Sequence, residues 1–360
     1  MTNTEGRDAD AAHYLDDERF HQSAVLPPSE SRASEMKVTY ADFGHRNKDR
    51  VVLFCPPLVG SRFVLSTKDK LARKHGVRII SPDRPGFGAT PDAPPVDRVR
   101  VWLDIVAGLL HHLDIPHVAV VGYSAGAVYA MNVLLHLRHL LHPVRPYVAL
   151  VTPFVHTSHS GVTSLKLAGS LPDAVIGSYE QLFKAVGRMG PALQFSSGLS
   201  SFWPTLGGSS KPLAPDADPD EVAMEEKVGH EILRRITAEN AQGVSQDILL
   251  LLKRDDHPGC WGSWGDYDRL VPMLAEVERN RQPTSSDTGH KPLQVRVFFA
   301  EADHMIGTTV ALTWFNNCWN PEQRGDRIDY SREVVPRTNH DNILELRYGV
   351  VESIFRDIST

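Results

Sequence analysis

Between Val51 and Val151 short apolar runs alternate with helical ones, and few folds accept that rhythm. Val51–Cys55 is a continuous apolar run stopped by Pro56-Pro57, as in a strand buried on both faces. Asp69–His75 reads as a short helix with Gly76 as its stop. Val77–Ser81 is a second apolar strand, closed by the segment Pro82-Asp83-Arg84-Pro85-Gly86-Phe87-Gly88. Within Val96–Leu113, apolar Val99, Leu103, Val106, Leu110 and Leu113 recur at helical spacing. Val118–Val121 reads as a strand, Ala125–Leu137 as a helix and Tyr147–Val151 as a strand. Strands alternating with helices imply βαβ units and a parallel sheet.

That rhythm stops near Thr152 and returns at Val295–Ala300 and Arg327–Val335, before a last helix over Ile343–Arg356. Helices are expected in between near Ile176–Met189, Asp220–Asn240, Ser245–Lys253 and Asp266–Arg281. The predicted organisation is therefore an α/β core interrupted by a helical insertion. Residues 1–35 form a loosely held arm with a short strand near Arg19–Val25. Residues 36–155 form the first part of the core, opened by an alternating strand over Met36–Phe43. Residues 156–290 form the insertion and 291–360 the second part of the core. A chain of 360 residues, 41% hydrophobic, is long enough for one such domain.

Charge and cysteine usage narrow the function classes. A net charge of −6 argues against nucleic acid as a partner. Three scattered cysteines, Cys55, Cys260 and Cys318, make neither a disulfide scaffold nor a zinc ribbon and fit a reducing compartment. The acidic first residues hold no apolar stretch of a secretory signal. Val118–Leu135 is uncharged, but Gly122-Tyr123-Ser124-Ala125-Gly126 in its middle reads as a strand running into a helix. The expectation is a cytoplasmic protein with no stable membrane insertion.

The pentapeptide Gly122-Tyr123-Ser124-Ala125-Gly126 carries the chemistry. It follows a strand and opens a helix, the context that a G-x-S-x-G nucleophile elbow requires. The chain must reverse within about one residue, which forces the serine into strained φ/ψ and holds its hydroxyl clear at the carboxyl edge of the sheet. A serine hydroxyl needs a base to take its proton, and that base needs a carboxylate to orient it. Downstream, Asp303 follows the apolar strand Val295–Ala300, and His340 sits in a loop before the last helix. No Asp or Glu occurs between Tyr147 and Ser170, which favours Asp303 as the acid.

Rival residues are weaker. His304 and Asp341 adjoin Asp303 and His340, and neighbours in extended chain point apart. His136, His139 and His142 could suggest a metal face but lack carboxylate or thiolate partners, so no metal is expected. Asp83 and Arg84 read as turn-stabilising residues. A tetrahedral intermediate needs two N–H donors at its oxyanion. One should be Ala125. The other should come from the loop after Val51–Cys55, where Pro56 and Pro57 have no N–H. Leu58 is the first residue able to donate, with Val59 next, and Gly60 would let the loop bend back.

Cys-Pro-Pro-Leu-Val-Gly-Ser-Arg at 55–62, Ser-Pro-Asp-Arg-Pro-Gly-Phe-Gly-Ala-Thr-Pro at 81–91, the serine pentapeptide, Ala-Glu-Ala-Asp-His-Met-Ile-Gly at 300–307 and Thr-Asn-His-Asp-Asn-Ile-Leu-Glu at 338–345 resemble the α/β-hydrolase superfamily of the lid-bearing kind. The resemblance spans roughly residues 36–155 and 293–357. It implies an eight-stranded, mostly parallel sheet flanked by helices, a helical lid over the nucleophile, a Ser124–Asp303–His340 triad and no cofactor. One departure stands out: Pro56-Pro57 occupy the places where relatives usually carry His-Gly.

The insertion holds Phe183, Met189, Phe195, Phe202, Trp203, Trp261 and Trp264, and an apolar, aromatic-lined cleft is the usual ligand site. The residues expected to face substrate are Val59, Tyr123, Phe183, Phe202, Trp203 and Trp264. The expected partner is a small hydrophobic ester or lactone, hydrolysed through an acyl-enzyme on Ser124 with a rate that rises as His340 loses its proton, near pH 6–7 for an unperturbed imidazole. The same triad could instead serve C–C bond, thioester or peptide hydrolysis or acyl transfer, and a non-catalytic ligand-binding homologue is a further alternative. Epoxide hydrolysis is disfavoured, because relatives that perform it place an aspartate where Ser124 stands.

Overall fold

The structure is a computed structural model that describes residues 11–30, 32–163, 172, 176, 213–215, 217–253, 260–281 and 291–360. Eight strands form one sheet: β1 (Gln22–Leu26), β2 (Met36–Gly44), β3 (Val51–Cys55), β4 (Arg78–Pro82), β5 (Ala119–Tyr123), β6 (Tyr147–Val151), β7 (Leu293–Ala302) and β8 (Ile328–Asn339). Their spatial order is β1-β2-β4-β3-β5-β6-β7-β8. β2 runs antiparallel to β1 and β4; every other pairing is parallel. The sheet is the eight-stranded, mostly parallel one expected.

The apolar runs fall where two-sided burial demands them. All five residues of β3 are buried, as are all five of β6. Alternation sends Val51, Leu53 and Cys55 into one core layer and Val52 and Phe54 into the other. The first layer is closed by α2 (Pro95–His112) and α3 (Gly126–His136). The second is closed by α1 (Asp69–Lys74), by the later helix α4 (Pro219–Ala238) and by the C-terminal helix, which begins at Val350. Pro95 at the first position suits α2, because a helix start has no use for that N–H. Trp102 of α2 is fully buried and meets Tyr129 of α3 edge to face at 5.5 Å. Burying one such side chain contributes roughly 1.5–3 kcal/mol.

Two expectations change. The N-terminal arm is tied down from residue 11: Leu15 and Phe20 are fully buried in the second layer, and β1 pairs with β2. Two apolar side chains against the sheet outweigh the arm's polar average. The stretch between β6 and β7 contains α4, α5 (Gly243–Leu252) and α6 (Tyr267–Asn280). α6 belongs with the sheet's cover: its apolar face of Leu270, Val271 and Leu274 joins the first core layer. The expected insertion over 156–290 thus ends in a helix that packs as part of the core. A further helix, α7 (Val310–Cys318), follows β7, and α8 is Val350–Ser359, preceded by a single turn at Leu346–Tyr348. Among the described residues no helix is long and apolar enough to cross a membrane.

Strand register gathers the important loops. Cys55 pairs with Gly122, Tyr123 with Val151, and Ala302 with Asn339. The chain leaves β3, β5, β7 and β8 at one carboxyl edge, the edge where open α/β sheets bind ligands.

Candidate active site

Ser124 and Ala125 are the two residues between β5 and α3, and Ser124 adopts φ +53°. That left-handed conformation costs a non-glycine residue on the order of 1–3 kcal/mol and persists only where the surroundings over-determine it. Here the Ser124 N–H donates to the Val151 carbonyl at 2.9 Å, and its own carbonyl accepts from Ala127 and Phe154 at 3.0 and 3.1 Å. The flanking glycines are steric necessities. A Cβ on Gly122 would lie 2.8 Å from the Ala130 Cβ, and one on Gly126 would lie 2.0 Å from the Cys55 carbonyl oxygen. The loop leaving β3 therefore crosses directly against the start of α3.

Asp303 and His340 follow the last pairing of β7 with β8, Ala302 with Asn339. The register shifts between Ala300 and Ala302, which brings the two ensuing side chains together. His340 Nδ1 lies 2.8 Å from Asp303 Oδ2, and His340 Nε2 lies 2.8 Å from Ser124 Oγ. Asp303 Oδ1 is already committed, accepting from the Met305 and Ile306 amides at 2.9 Å each. All three side chains are buried, with Ser124 at 7%, Asp303 at 3% and His340 at 5% exposure, so the chain of hydrogen bonds operates largely shielded from water. Burial alone would lower the His340 pKa. The charge and hydrogen bond of Asp303, with a smaller contribution from Asp341, outweigh that and raise it. The arrangement can take a proton from Ser124 and hold the resulting imidazolium.

Tyr123 sits elsewhere than the substrate-facing place expected of it. Strand alternation turns it into the second core layer. Its hydroxyl donates to the His340 carbonyl at 2.6 Å and the Asp341 carbonyl at 3.2 Å, and its ring stacks on His340 at 6.0 Å between centroids. Burial pushes its pKa well up, so it remains a donor. Tyr123 holds the histidine loop in place.

The loop after β3 brings Leu58 and Val59 next to Phe87, Ala241, Val244 and Ile248 in a small apolar cluster. A Cβ on Gly60 would lie 2.6 Å from Pro57 Cδ, so the loop folds back on itself there. Among the described residues, no acceptor takes the amide of Leu58 or of Ala125. Trp264 is fully buried in the first core layer, 5.2 Å from Trp261 and 5.4 Å from Tyr267. Its ring fixes the segment before α6 to the core, a correction to the substrate-facing role expected of it. Phe183, Phe202 and Trp203 lie outside the described residues.

The rival histidines are occupied otherwise. His304 is exposed. His156 caps the turn Thr157–Ser160, and His159 stacks on Trp314 at 4.0 Å. Among the described residues no group of His, Cys, Asp or Glu could hold a metal. Asp83 does stabilise its turn, accepting from the Arg62 amide and guanidinium and from the Thr39 hydroxyl. Sequence reasoning missed what Arg84 and Asp247 do. The one charged residue of α5, Gly-Val-Ser-Gln-Asp-Ile-Leu-Leu-Leu-Leu, is the available signal.

A buried Ser–His–Asp chain of hydrogen bonds at the carboxyl edge of an eight-stranded α/β sheet defines a class, the α/β hydrolases. This chain belongs to the alpha/beta hydrolase family, whose pattern matches residues 52–350. No curated protein sequence matches it. Solved structures do. An esterase from Exiguobacterium antarcticum is 14% identical, with a TM-score of 0.59, over 94% of this chain and 100% of that one. An enol-lactonase from Burkholderia xenovorans LB400 is 13% identical, with a TM-score of 0.56, over 90% and 97%. An epoxide hydrolase from Vigna radiata is 14% identical, with a TM-score of 0.54, over 95% and 97%. At such identities the likeness is one of fold.

Proposed function

We propose that this hydrolase cleaves hydrophobic carboxylic esters or lactones through an acyl-enzyme on Ser124. The observation that carries the reading is the pair of 2.8 Å contacts running from Ser124 Oγ through His340 to Asp303. His340 Nε2 takes the proton as Ser124 Oγ bonds to the substrate carbonyl carbon. The imidazolium, steadied by Asp303, then gives that proton to the leaving alkoxide as the ester C–O bond breaks. Water repeats the sequence and frees the acid. The Ala125 and Leu58 amides donate to the oxyanion that forms in each half. Val59, with Phe87, Val244 and Ile248, supplies apolar wall beside those amides, which favours an uncharged, hydrophobic substrate. Of the described residues between β6 and β7, α5, held against the β4–α2 loop, is the part that covers this apolar wall.

The test is reaction with a fluorophosphonate followed by intact-mass measurement, then a chromogenic ester series of varied acyl length. The expected result is one adduct on Ser124, none in Ser124→Ala, and a loss of several orders of magnitude in kcat in that variant. Turnover that survives in Ser124→Ala would refute the assignment.

A further inference from the structure

Two prolines leave the loop after β3 with no N–H before Leu58, so the Leu58 amide is the first that loop can offer. Arg84 lies behind the loop, fully buried. Its Nη1 donates to the Pro56 carbonyl at 2.6 Å, and its Nη2 donates to the carbonyls of Pro57 at 2.9 Å and Leu58 at 3.0 Å. Three successive carbonyls are thus drawn to one guanidinium. In a trans peptide the C=O and N–H point to opposite sides. Capturing the Pro57 carbonyl therefore turns the Leu58 N–H away from Arg84, and capturing the Leu58 carbonyl does the same for the Val59 N–H. A cation on the carbonyl side also polarises the Pro57–Leu58 and Leu58–Val59 peptides and strengthens their N–H groups as donors.

The guanidinium is itself fixed from a distant part of the chain. Its Nε donates to Asp247 Oδ2 at 2.9 Å. The other carboxylate oxygen accepts from Arg98 Nε at 2.7 Å and from the Tyr129 hydroxyl at 2.5 Å. Arg84, Arg98, Asp247 and Tyr129 are all fully buried. Asp247 belongs to α5, whose first residue donates from its amide to the Gly86 carbonyl at 3.0 Å. A planar fork with both ends engaged has little freedom to drift.

We propose that Arg84 is a positioning residue that sets the Leu58 amide of the oxyanion hole by holding the carbonyls of residues 56–58, and that Asp247 of α5 holds Arg84 in turn. The assignment rests on the serine-hydrolase reading. It makes α5 a structural support of the oxyanion hole.

Removing Arg84 alone would strand a buried Asp247 carboxylate, so the first variant is the charge-balanced pair Arg84→Met with Asp247→Asn. The second is Arg84→Lys, which keeps the charge but cannot span three carbonyls. Each is compared with the unaltered protein for ester kcat and KM, for inhibition by a trifluoromethyl ketone, whose serine adduct places an oxyanion in the hole, and for Tm. Losing one oxyanion donor costs about 10²–10³-fold in kcat. A misaimed donor should cost at least tenfold in kcat, with KM within about threefold and trifluoromethyl ketone affinity weakened in parallel. A purely structural role would lower Tm and leave those rates intact. Folded variants that keep kcat and inhibitor affinity within threefold overturn the assignment, and Arg84→Lys decides if the double variant does not fold. An unaltered protein that takes no fluorophosphonate on Ser124 removes the hydrolase reading and the assignment with it, whereas a labelled protein with indifferent variants removes the assignment alone.

Discussion

Asp303→Asn is the sharpest perturbation, because the structure dictates how the new amide must sit. Asp303 Oδ1 accepts two backbone N–H groups, from Met305 and Ile306. An asparagine must place its carbonyl oxygen there, since an NH₂ would face two donors. Its NH₂ then faces His340 Nδ1, which can only accept. The neutral imidazole is driven to the tautomer with its proton on Nε2, pointing at Ser124, and such a ring cannot take the serine proton. Escape requires flipping the amide, which leaves the two buried amides unsatisfied at about 1–3 kcal/mol each. The total of roughly 2–6 kcal/mol, at 1.36 kcal/mol per tenfold, puts the fall in kcat between about 30-fold and 10⁴-fold. The upper end matches the loss on the order of 10⁴ that a wrong imidazole tautomer causes in a serine hydrolase. A second readout is independent. Burial lowers the His340 pKa and the Asp303 charge raises it, so removing that charge should move the acidic limb of kcat/KM to lower pH. Steady-state kinetics on a chromogenic ester across pH, with Tm recorded for each protein, measures both. A folded variant within tenfold of the original kcat and with an unmoved limb would refute the reasoning.

Four further outcomes follow from the same geometry. In the unaltered protein the base must be neutral, and its pKa is raised, so the acidic limb of kcat/KM should lie above the ordinary imidazole value rather than at it. For stability the same shift acts oppositely: the stabilisation of protonated His340 is complete below its unfolded pKa and is lost as pH rises through the folded one. Tyr123→Phe strips the phenol donor from the His340 and Asp341 carbonyls. It should cost about 1–3 kcal/mol in urea unfolding and lower kcat with KM unchanged, and an unchanged kcat would make the phenol merely structural. Gly126→Ala pushes a Cβ into the Cys55 and Pro56 carbonyls. It should destabilise by about 1–3 kcal/mol or more and depress ester turnover in the folded fraction; a stable, fully active variant would show that the loop can yield.

What could be read in the sequence is what the backbone enforces. β3 and β6 coincide with their apolar runs to the residue, because a strand buried on both faces leaves no polar position to blur its ends. Ser124 was legible because a strand-to-helix turn needs small residues on both sides, and Gly122 and Gly126 provide them. Asp303 is legible as the carboxylate just past the apolar run Val295–Ala300, and His340 as a loop histidine ahead of the last helix. Helix α7 was not, since its Val-Ala-Leu-Thr-Trp-Phe-Asn-Asn-Cys is short and its polar residues cluster at one end. Tyr123 and Trp264 were misplaced for a shared reason. An aromatic beside a nucleophile or within an insertion has the same composition whether it faces substrate or core, and only the register of β5 and the packing of α6 decide.

The contact between Arg84 and Asp247 marks the limit of local reading. The two residues are 163 positions apart, and neither carries a spacing signal. Yet two buried arginines cannot persist without a counter-charge, because an unpaired buried ion costs several kcal/mol. Arg84 sits in the turn that closes β4 and Arg98 on α2; Asp247 on α5 answers both, with Asp92 a second counter-charge for Arg98. The pairing joins α5, in the stretch between β6 and β7, to the loop that carries the Leu58 amide. A change of substrate preference achieved by rebuilding α5 would thus carry a cost in kcat unless position 247 keeps its carboxylate.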